Sequence, residues 1–175
     1  HIRRSRIPLA NIESLISWKV MEVANRRPAC IMTAFQVPKK TDEDRLVLDA
    51  TPLNRISISA PDMQLPKLHE ILSNLMRFQC ATTIDAISYF YQFPVDPDVA
   101  HFFGIATNRA RGRALFHTLR KMCMGWRMAP SIAQRTSMLV VKYVSQRVSS
   151  RVKDFYVTVW LDNFIIAAHT EADVE

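Results

Sequence analysis

Two aspartates each interrupt an apolar run that has the composition of a β-strand. Asp85 follows the strand-like residues 81–84, which carry no charge, and Asp162 ends a second such run. A carboxylate in that setting is unfavourable unless it is capped, paired or bound to metal. Singly, each has an ordinary explanation: Asp85 as the N-cap of a helix that begins at Ala86, and Asp162 with Asn163 as a hairpin turn. Two carboxylates on neighbouring strand ends, however, are a suitable ligand set for Mg²⁺.

Hydrophobic periodicity predicts strands interleaved with a few helices that do not repeat. Helical spacing covers residues 12–23, 66–76 and 130–148. Short apolar runs predict strands over residues 30–37, 45–49, 81–84, 102–106, 114–119, 155–161 and 164–168, and residues 51–54 have the composition of a turn. This order favours an α+β domain over a doubly wound parallel sheet.

Composition excludes several common classes of protein. Of the 175 residues, 49% are hydrophobic, which is enough for a packed core. Only three glycines occur, so neither a P-loop nor a dinucleotide-binding loop is present. No histidine pair has the spacing of a zinc hydrolase, and no serine lies in G-x-S-x-G. Cys30, Cys80 and Cys123 lack C-x-x-C spacing, so we expect buried small hydrophobes rather than a disulfide framework or a zinc site.

The ends of the chain and its apolar runs bear on localisation. No apolar run reaches eighteen residues and no signal-type stretch opens the chain, so we expect a soluble, intracellular segment in the cytoplasm or nucleus, without membrane contact. The chain begins and ends without clear stop signals. We therefore expect it to be part of a longer protein.

Basic residues are concentrated in one long stretch. The net charge is +7, and no acidic residue occurs from Val99 to Lys153. That stretch holds eleven cations: Arg109, Arg111, Arg113, Arg120, Lys121, Arg127, Arg135, Lys142, Arg147, Arg151 and Lys153. An uncompensated stretch of this length faces either solvent or a polyanion, and phosphate backbones are the usual polyanion. Both interpretations, a solvated basic face and a nucleic-acid-binding face, stay open on charge alone.

Three motifs follow one another in a distinctive order. Asp85 is followed five residues later by Phe90, a Gly-Trp-x-x-x-Pro-x-x-x-x-Gln segment begins at Gly125, and an aromatic-x-Asp-Asn segment begins at Trp160. This order resembles the catalytic core of reverse transcriptases, especially those of long-terminal-repeat or tyrosine-recombinase retrotransposons. Two upstream segments, residues 35–40 and 45–54, are similar to fingers strands of the same family.

The resemblance implies an α+β right-hand polymerase with fingers and palm. Its fingers would comprise residues 1–59 and 93–128, and its palm residues 60–92 and 129–175, with an antiparallel sheet backed by helices. The chain would end after the catalytic hairpin, without a thumb. The implied partners are an RNA or DNA template with its primer, deoxynucleoside triphosphates and the other domains of a longer polyprotein.

The implied catalytic residues are Asp85, Asp162 and Asn163, of which Asp85 and Asp162 would hold two Mg²⁺ ions, with Mn²⁺ as the alternative. Phe90 would exclude a 2′-hydroxyl, and Arg45 would clamp the β- and γ-phosphates with one of two adjacent lysines. The residues implied to surround the nucleotide are Lys39, Lys40, Arg45, Ala86, Phe90, Met124, Gly125 and Trp126. The residues implied to contact nucleic acid are Arg109, Arg111, Arg113, Arg127, Pro130 and Gln134.

One departure from the family pattern affects the expected activity. Asn163 stands where the family has its second hairpin aspartate, and an amide oxygen ligates a cation without adding negative charge. Two hypotheses follow: an active enzyme that tolerates asparagine, or a decayed domain that serves as a nucleic-acid-binding scaffold. A third, an RNA-directed RNA polymerase, conflicts with Phe90, since a ribonucleotide polymerase needs room for the 2′-hydroxyl.

Overall fold

The computed structural model describes residues 7–37, 45–108 and 114–174. It has mixed α+β architecture, with two separate β-sheets and four α-helices in the described part of the chain. The chain divides into two compact units. The first unit comprises His1–Ser59 and Phe90–Ala129, and the second comprises Ala60–Tyr89 and Pro130–Glu175.

The first unit is built on a five-stranded sheet. Its helices are α1 (Leu9–Ser17) and α2 (Thr51–Ile56), and its strands are β1 (Met21–Val23), β2 (Ile31–Val37), β3 (Arg45–Asp49), β5 (Gly104–Asn108) and β6 (Ala114–Leu119). The strand order is β1-β6-β5-β2-β3, and neighbours are antiparallel except for β2 and β5. Buried apolar side chains from both helices and all five strands form its core, among them Ile12, Met21, Met32, Leu48, Leu53, Ile105 and Leu119.

The parallel pairing of β2 and β5 depends on a close backbone approach at Gly104. Ile31 pairs with Gly104 at the start of β5, and the N–H of Gly104 donates to the carbonyl of Cys30 at 3.2 Å. A Cβ atom at position 104 would lie 2.3 Å from Cβ of Pro28 and 2.4 Å from the Cys30 oxygen. Glycine is therefore required here for space, and this contact fixes how β5 enters the sheet.

A buried histidine lies on β6 of the same sheet. The side chain of His117 is 1% exposed, and its Nε2 lies 3.1 Å from Oγ1 of Thr107 on β5. Its Nδ1 has no hydrogen-bond partner in the described structure. Burial lowers the pKa of His117 below its ordinary value, because the charged ring is poorly solvated there. Burial therefore favours the neutral form of His117 in the folded unit.

The second unit is built on a three-stranded antiparallel sheet. Its helices are α3 (Leu68–Leu75) and α4 (Ala129–Val148), and its strands are β4 (Cys80–Asp85), β7 (Phe155–Trp160) and β8 (Asn163–Ala168). The strand order is β4-β8-β7, so β8 is central. The start of α4 is fixed where Oγ of buried Ser131 donates to the carbonyl of Pro61 at 3.1 Å.

Two local predictions for the first unit were wrong. The helix expected over residues 12–23 ends at Ser17, where Lys19 adopts a left-handed φ of 56° and the chain turns into β1. Pairing of β1 with β6 supplies hydrogen bonds that outweigh the local helical periodicity. Residues 51–54, expected as a turn, lie in the short helix α2, which has Pro52 in its first turn.

All three cysteines are free. Cys30 and Cys123 are buried, as expected of small hydrophobes, and Cys80 is half-buried. Burial raises the pKa of the Cys123 thiol to about 12, partly offset by hydrogen bonds from the backbone of Cys123 and Trp126. No helix within the described ranges is both long enough and apolar enough to cross a membrane.

Candidate active site

Strand β4 and the β7–β8 hairpin bring Asp85, Asp162 and Asn163 to one end of the three-stranded sheet. Asp85 is the last residue of β4 and pairs with Asn163, the first residue of β8. Asp162 directly precedes Asn163, and its carbonyl accepts a hydrogen bond from the N–H of Ala86 at 2.9 Å. The two predicted metal-binding residues therefore lie on adjoining strand ends, with their backbones tied together.

The turn between β7 and β8 lies one residue earlier than the sequence predicted. The expected corner was Asp162–Asn163, whereas the two-residue loop consists of Leu161 and Asp162. Asn163 pairs with Trp160 on one side and with Asp85 on the other, so it belongs to the central strand. This cross-strand pairing fixes the loop, and the local turn propensity of Asp-Asn does not decide it.

Leu161 has an unusual backbone conformation for a bulky residue. Its φ is 57°, in the left-handed region, whereas Asp162 has a negative φ. A positive φ at the first loop residue alone is the pattern of a type II′ turn, in which glycine is the usual residue at that place. Holding leucine there costs about 1 kcal/mol or more. Surrounding contacts must therefore stabilise the turn.

Two buried side chains on α4 supply those contacts. The amide of Gln134, 1% exposed, accepts from the N–H of Leu161 at 2.7 Å and donates from Nε2 to the carbonyl of Val159 at 3.0 Å. Oγ of Ser137, 0% exposed, donates to the carbonyl of Leu161. Both backbone polar groups of Leu161 are thus held by one helix, and the position of Asp162 follows from that support.

The carboxylates themselves are accessible. Asp85 and Asn163 are exposed and Asp162 is half-buried. Among the described residues, no ion pair or side-chain hydrogen bond engages either carboxylate, and no group of three or more His, Cys, Asp or Glu side chains could hold a metal ion. Two carboxylates and one amide oxygen are hard donors that suit Mg²⁺ or Mn²⁺. The remaining ligands of such an ion would come from water, backbone and substrate oxygens.

The Gly-Trp segment lies in the first unit and is held by α2. Gly125 has a left-handed φ of 92° and its carbonyl accepts from Nδ2 of Asn54 at 2.9 Å. Oδ1 of Asn54 accepts from the N–H of Arg127 at 2.7 Å, so one asparagine spans the loop. Nε1 of Trp126 donates to Oγ of Ser57 at 2.9 Å. Ser57 was not predicted as a site residue, because its partner is distant in the sequence.

The other predicted site residues are placed as follows. Phe90, the first residue of the second segment of the first unit, is buried in a short 3-10 helix, Tyr89–Gln92. Met124 and Arg127 are exposed, whereas Ala86 and Pro130 are half-buried. Gln134 has both ends of its amide engaged within the protein, and its predicted contact with nucleic acid stays a prediction.

Several predicted residues fall outside the described ranges. Arg45 opens β3, but only its backbone is described. The predicted phosphate-binding and template-binding cations beyond the described residues are Lys39, Lys40, Arg109, Arg111 and Arg113. Their roles stay predictions.

Ser137 was not predicted as a site residue, although it follows Gln134 by three residues on the same helix face. That spacing is the one local signal for it. Among known protein families, no family model matches the sequence. The geometry of the carboxylates and the resemblance of the motifs therefore carry the functional proposal.

Proposed function

We propose that this chain is the fingers and palm of an RNA-directed DNA polymerase, which adds deoxynucleotides to a primer 3′-hydroxyl under the direction of a template. The observation that carries the proposal is the meeting of Asp85 and Asp162 at the accessible end of an antiparallel sheet. A site for phosphoryl transfer needs hard oxygen ligands on a rigid support, and the strand ends supply both. In this proposal the first unit is the fingers and the second is the palm.

Asp85 and Asp162 would hold Mg²⁺ or Mn²⁺ through their carboxylate oxygens. The chemistry supplied by ions held there would be to lower the pKa of the attacking 3′-hydroxyl and to offset the negative charge that develops on the leaving pyrophosphate. In the reaction, the 3′-oxygen would form a bond to the α-phosphorus as the bond to the pyrophosphate oxygen breaks, the pyrophosphate would leave, and the hydroxyl proton would pass to water. Asp85 and Asp162 contribute charge and position at this step, with little covalent chemistry of their own.

The buried Gln134 and Ser137 support this assignment indirectly. They hold the Leu161–Asp162 turn in a conformation that leucine disfavours. Strain of this kind is found where surrounding structure fixes a functional group in place. A turn with no task beyond joining two strands would be satisfied by glycine at position 161, without two buried polar side chains.

Asn163 favours a second candidate function, a nucleic-acid-binding scaffold without catalysis. Its exposed amide lies directly opposite Asp85, where a carboxylate would add a third negative charge. With asparagine, the site carries two formal negative charges and binds divalent cations more weakly. The scaffold would bind nucleic acid with no dependence on divalent cations or incoming nucleotide.

Primer extension on an RNA template with deoxynucleotides, in Mg²⁺ and in Mn²⁺, tests the two functions. The parent is compared with Asp85→Asn, Asn163→Asp and Asp62→Asn, the last being a matched control because Asp62 is exposed and lies outside the site. We expect extension by the parent, abolition in Asp85→Asn, no change in Asp62→Asn and a gain in Mg²⁺ for Asn163→Asp.

Other outcomes separate the alternatives. Extension only in Asn163→Asp would identify an enzyme inactivated by its asparagine. No extension by any variant, with RNA still bound in a filter assay, would favour the scaffold. Equal extension by the parent and Asp85→Asn would exclude the proposed site.

A further inference from the structure

The segment that follows Asp85 is linked to the hairpin turn through α4. The hydroxyl of Tyr89 lies 2.6 Å from Oγ of Ser137, and Oγ of Ser137 donates to the carbonyl of Leu161. A serine hydroxyl has one hydrogen, so the hydrogen in the first contact belongs to Tyr89. Two consecutive hydrogen bonds therefore run from Tyr89 to Ser137 to Leu161, all within the second unit.

We call these two hydrogen bonds, from Tyr89 to Ser137 and from Ser137 to Leu161, the relay. The relay acts on the peptide group that joins Leu161 to Asp162. The Leu161 carbonyl and the Asp162 N–H share one plane, so fixing the carbonyl fixes the plane. In two-residue hairpin loops, the type II′ turn has a positive φ at the first loop residue alone, and type I′ has it at both. A change to type I′ would reorient this peptide and the Asp162 side chain beyond it. The hydrogen bond from Ser137 favours the observed turn.

The relay also joins the two carboxylate-bearing segments. Tyr89 follows Asp85 by four residues, and Leu161 directly precedes Asp162. The backbone bond from Ala86 to Asp162 makes a first link between these segments. The relay makes a second through α4, and two links at different points resist both sliding and rotation of one segment against the other.

We propose that Tyr89 and Ser137 are positioning residues that set the orientation of the Asp162 carboxylate relative to Asp85. The inference rests on the proposed function, because it assigns the relay a purpose at the same metal site. In this proposal, neither the Tyr89 nor the Ser137 side chain contacts metal or substrate. Gln134 already satisfies the N–H of Leu161, so the specific contribution of the relay is at the carbonyl.

Mn²⁺ binding to the whole chain, followed by electron paramagnetic resonance without nucleotide, tests the proposal. Tyr89→Phe and Ser137→Ala each remove one hydroxyl of the relay. Thr136→Val is the matched control, because the Thr136 hydroxyl donates to the Ile132 carbonyl within α4 and does not reach the turn. Amide exchange of residues 155–168, measured by mass spectrometry, reports the order of the hairpin independently of metal.

We expect both relay variants to bind Mn²⁺ about fivefold more weakly than the parent, the factor that corresponds to about 1 kcal/mol for one lost hydrogen bond. Amide exchange at the turn should be faster in both, with Thr136→Val unchanged in both measurements. Parent-like Mn²⁺ binding in Tyr89→Phe and Ser137→Ala would overturn the positioning role, even with faster exchange. A parent that binds no Mn²⁺ would overturn the proposed metal site first, which distinguishes the two failures.

Discussion

Glutamate at position 134 is expected to destabilise the protein at neutral pH, although it has nearly the shape of glutamine. In the parent, Nε2 of Gln134 donates to the Val159 carbonyl at 3.0 Å, and Oε1 accepts from the N–H of Leu161 at 2.7 Å. An ionised carboxylate has no hydrogen to donate, so one of its oxygens would face the Val159 oxygen in a buried setting. A protonated carboxyl group can make both bonds.

The free energy needed to protonate the new carboxyl group sets the upper limit of the stability lost in Gln134→Glu, because the protonated group can make both hydrogen bonds. Keeping a carboxyl group with an ordinary pKa of about 4.3 protonated at pH 7 costs about 3.7 kcal/mol, since each pH unit corresponds to about 1.36 kcal/mol. Leaving the Val159 carbonyl unsatisfied costs about 1–3 kcal/mol before the burial of charge is counted. Gln134→Glu should therefore lower the free energy of unfolding by about 3 kcal/mol at pH 7.

The loss should depend on pH in a definite direction. Burial beside a carbonyl raises the pKa of the new carboxyl group in the folded state above its unfolded value. Its favourable contribution is then complete below the unfolded pKa of about 4.3 and is lost as pH rises. The difference between Gln134→Glu and the parent should shrink steadily between pH 7 and about pH 4.5.

Urea unfolding followed by circular dichroism, at pH 7 and at about pH 4.5, measures the difference in free energy of unfolding between Gln134→Glu and the parent. Gln146→Glu is the matched control, because Gln146 lies on the same helix but is exposed. It should stay within about 0.5 kcal/mol of the parent. A loss in Gln134→Glu that is equal at both pH values, or absent at pH 7, would refute the two-bond role of Gln134.

Two further substitutions probe the first unit by the same unfolding measurement. Gly104→Ala should lower the free energy of unfolding by about 1–3 kcal/mol, because its methyl group would lie 2.3 Å from Cβ of Pro28 and 2.4 Å from the Cys30 oxygen. Stability equal to that of the parent would contradict this and would show that β5 shifts freely. Stability should also fall as pH drops below 6.5, because the lowered pKa of His117 keeps the folded ring neutral while the unfolded ring takes up a proton. His117→Leu should make the stability depend less on pH in this range. An unchanged pH dependence would mean that other groups cause it.

The second sheet was well predicted from sequence. The strands expected over residues 155–161 and 164–168 and the helix over residues 130–148 agree with β7, β8 and α4 to within one residue at each end. These elements have continuous apolar runs or a proline at the start, so local signals and tertiary packing favour the same structure. The fingers and palm assignment of the two units stays a prediction.

The contacts that organise the site were beyond local sequence signals. Tyr89 and Ser137 meet although the chain separates them by 48 residues, and Asn54 reaches the carbonyl of Gly125 from 71 residues away. Each of these side chains also has an ordinary local use, as a helix or turn residue. Their pairing depends on how strands and helices pack, which periodicity alone does not determine.

The interrupted course of the first unit has a consequence for how the chain folds during synthesis. Its edge strand β1 must pair with β6, joining Met21 to Leu119, and β2 must pair with β5 across the inserted part of the second unit. Contacts between such distant segments form slowly, because the intervening chain loses entropy before the contacts are made. During synthesis, β2 therefore lacks its partner β5, and β1 lacks its partner β6, until those later strands have left the ribosome, and such unpaired strand edges favour aggregation of the emerging fragment.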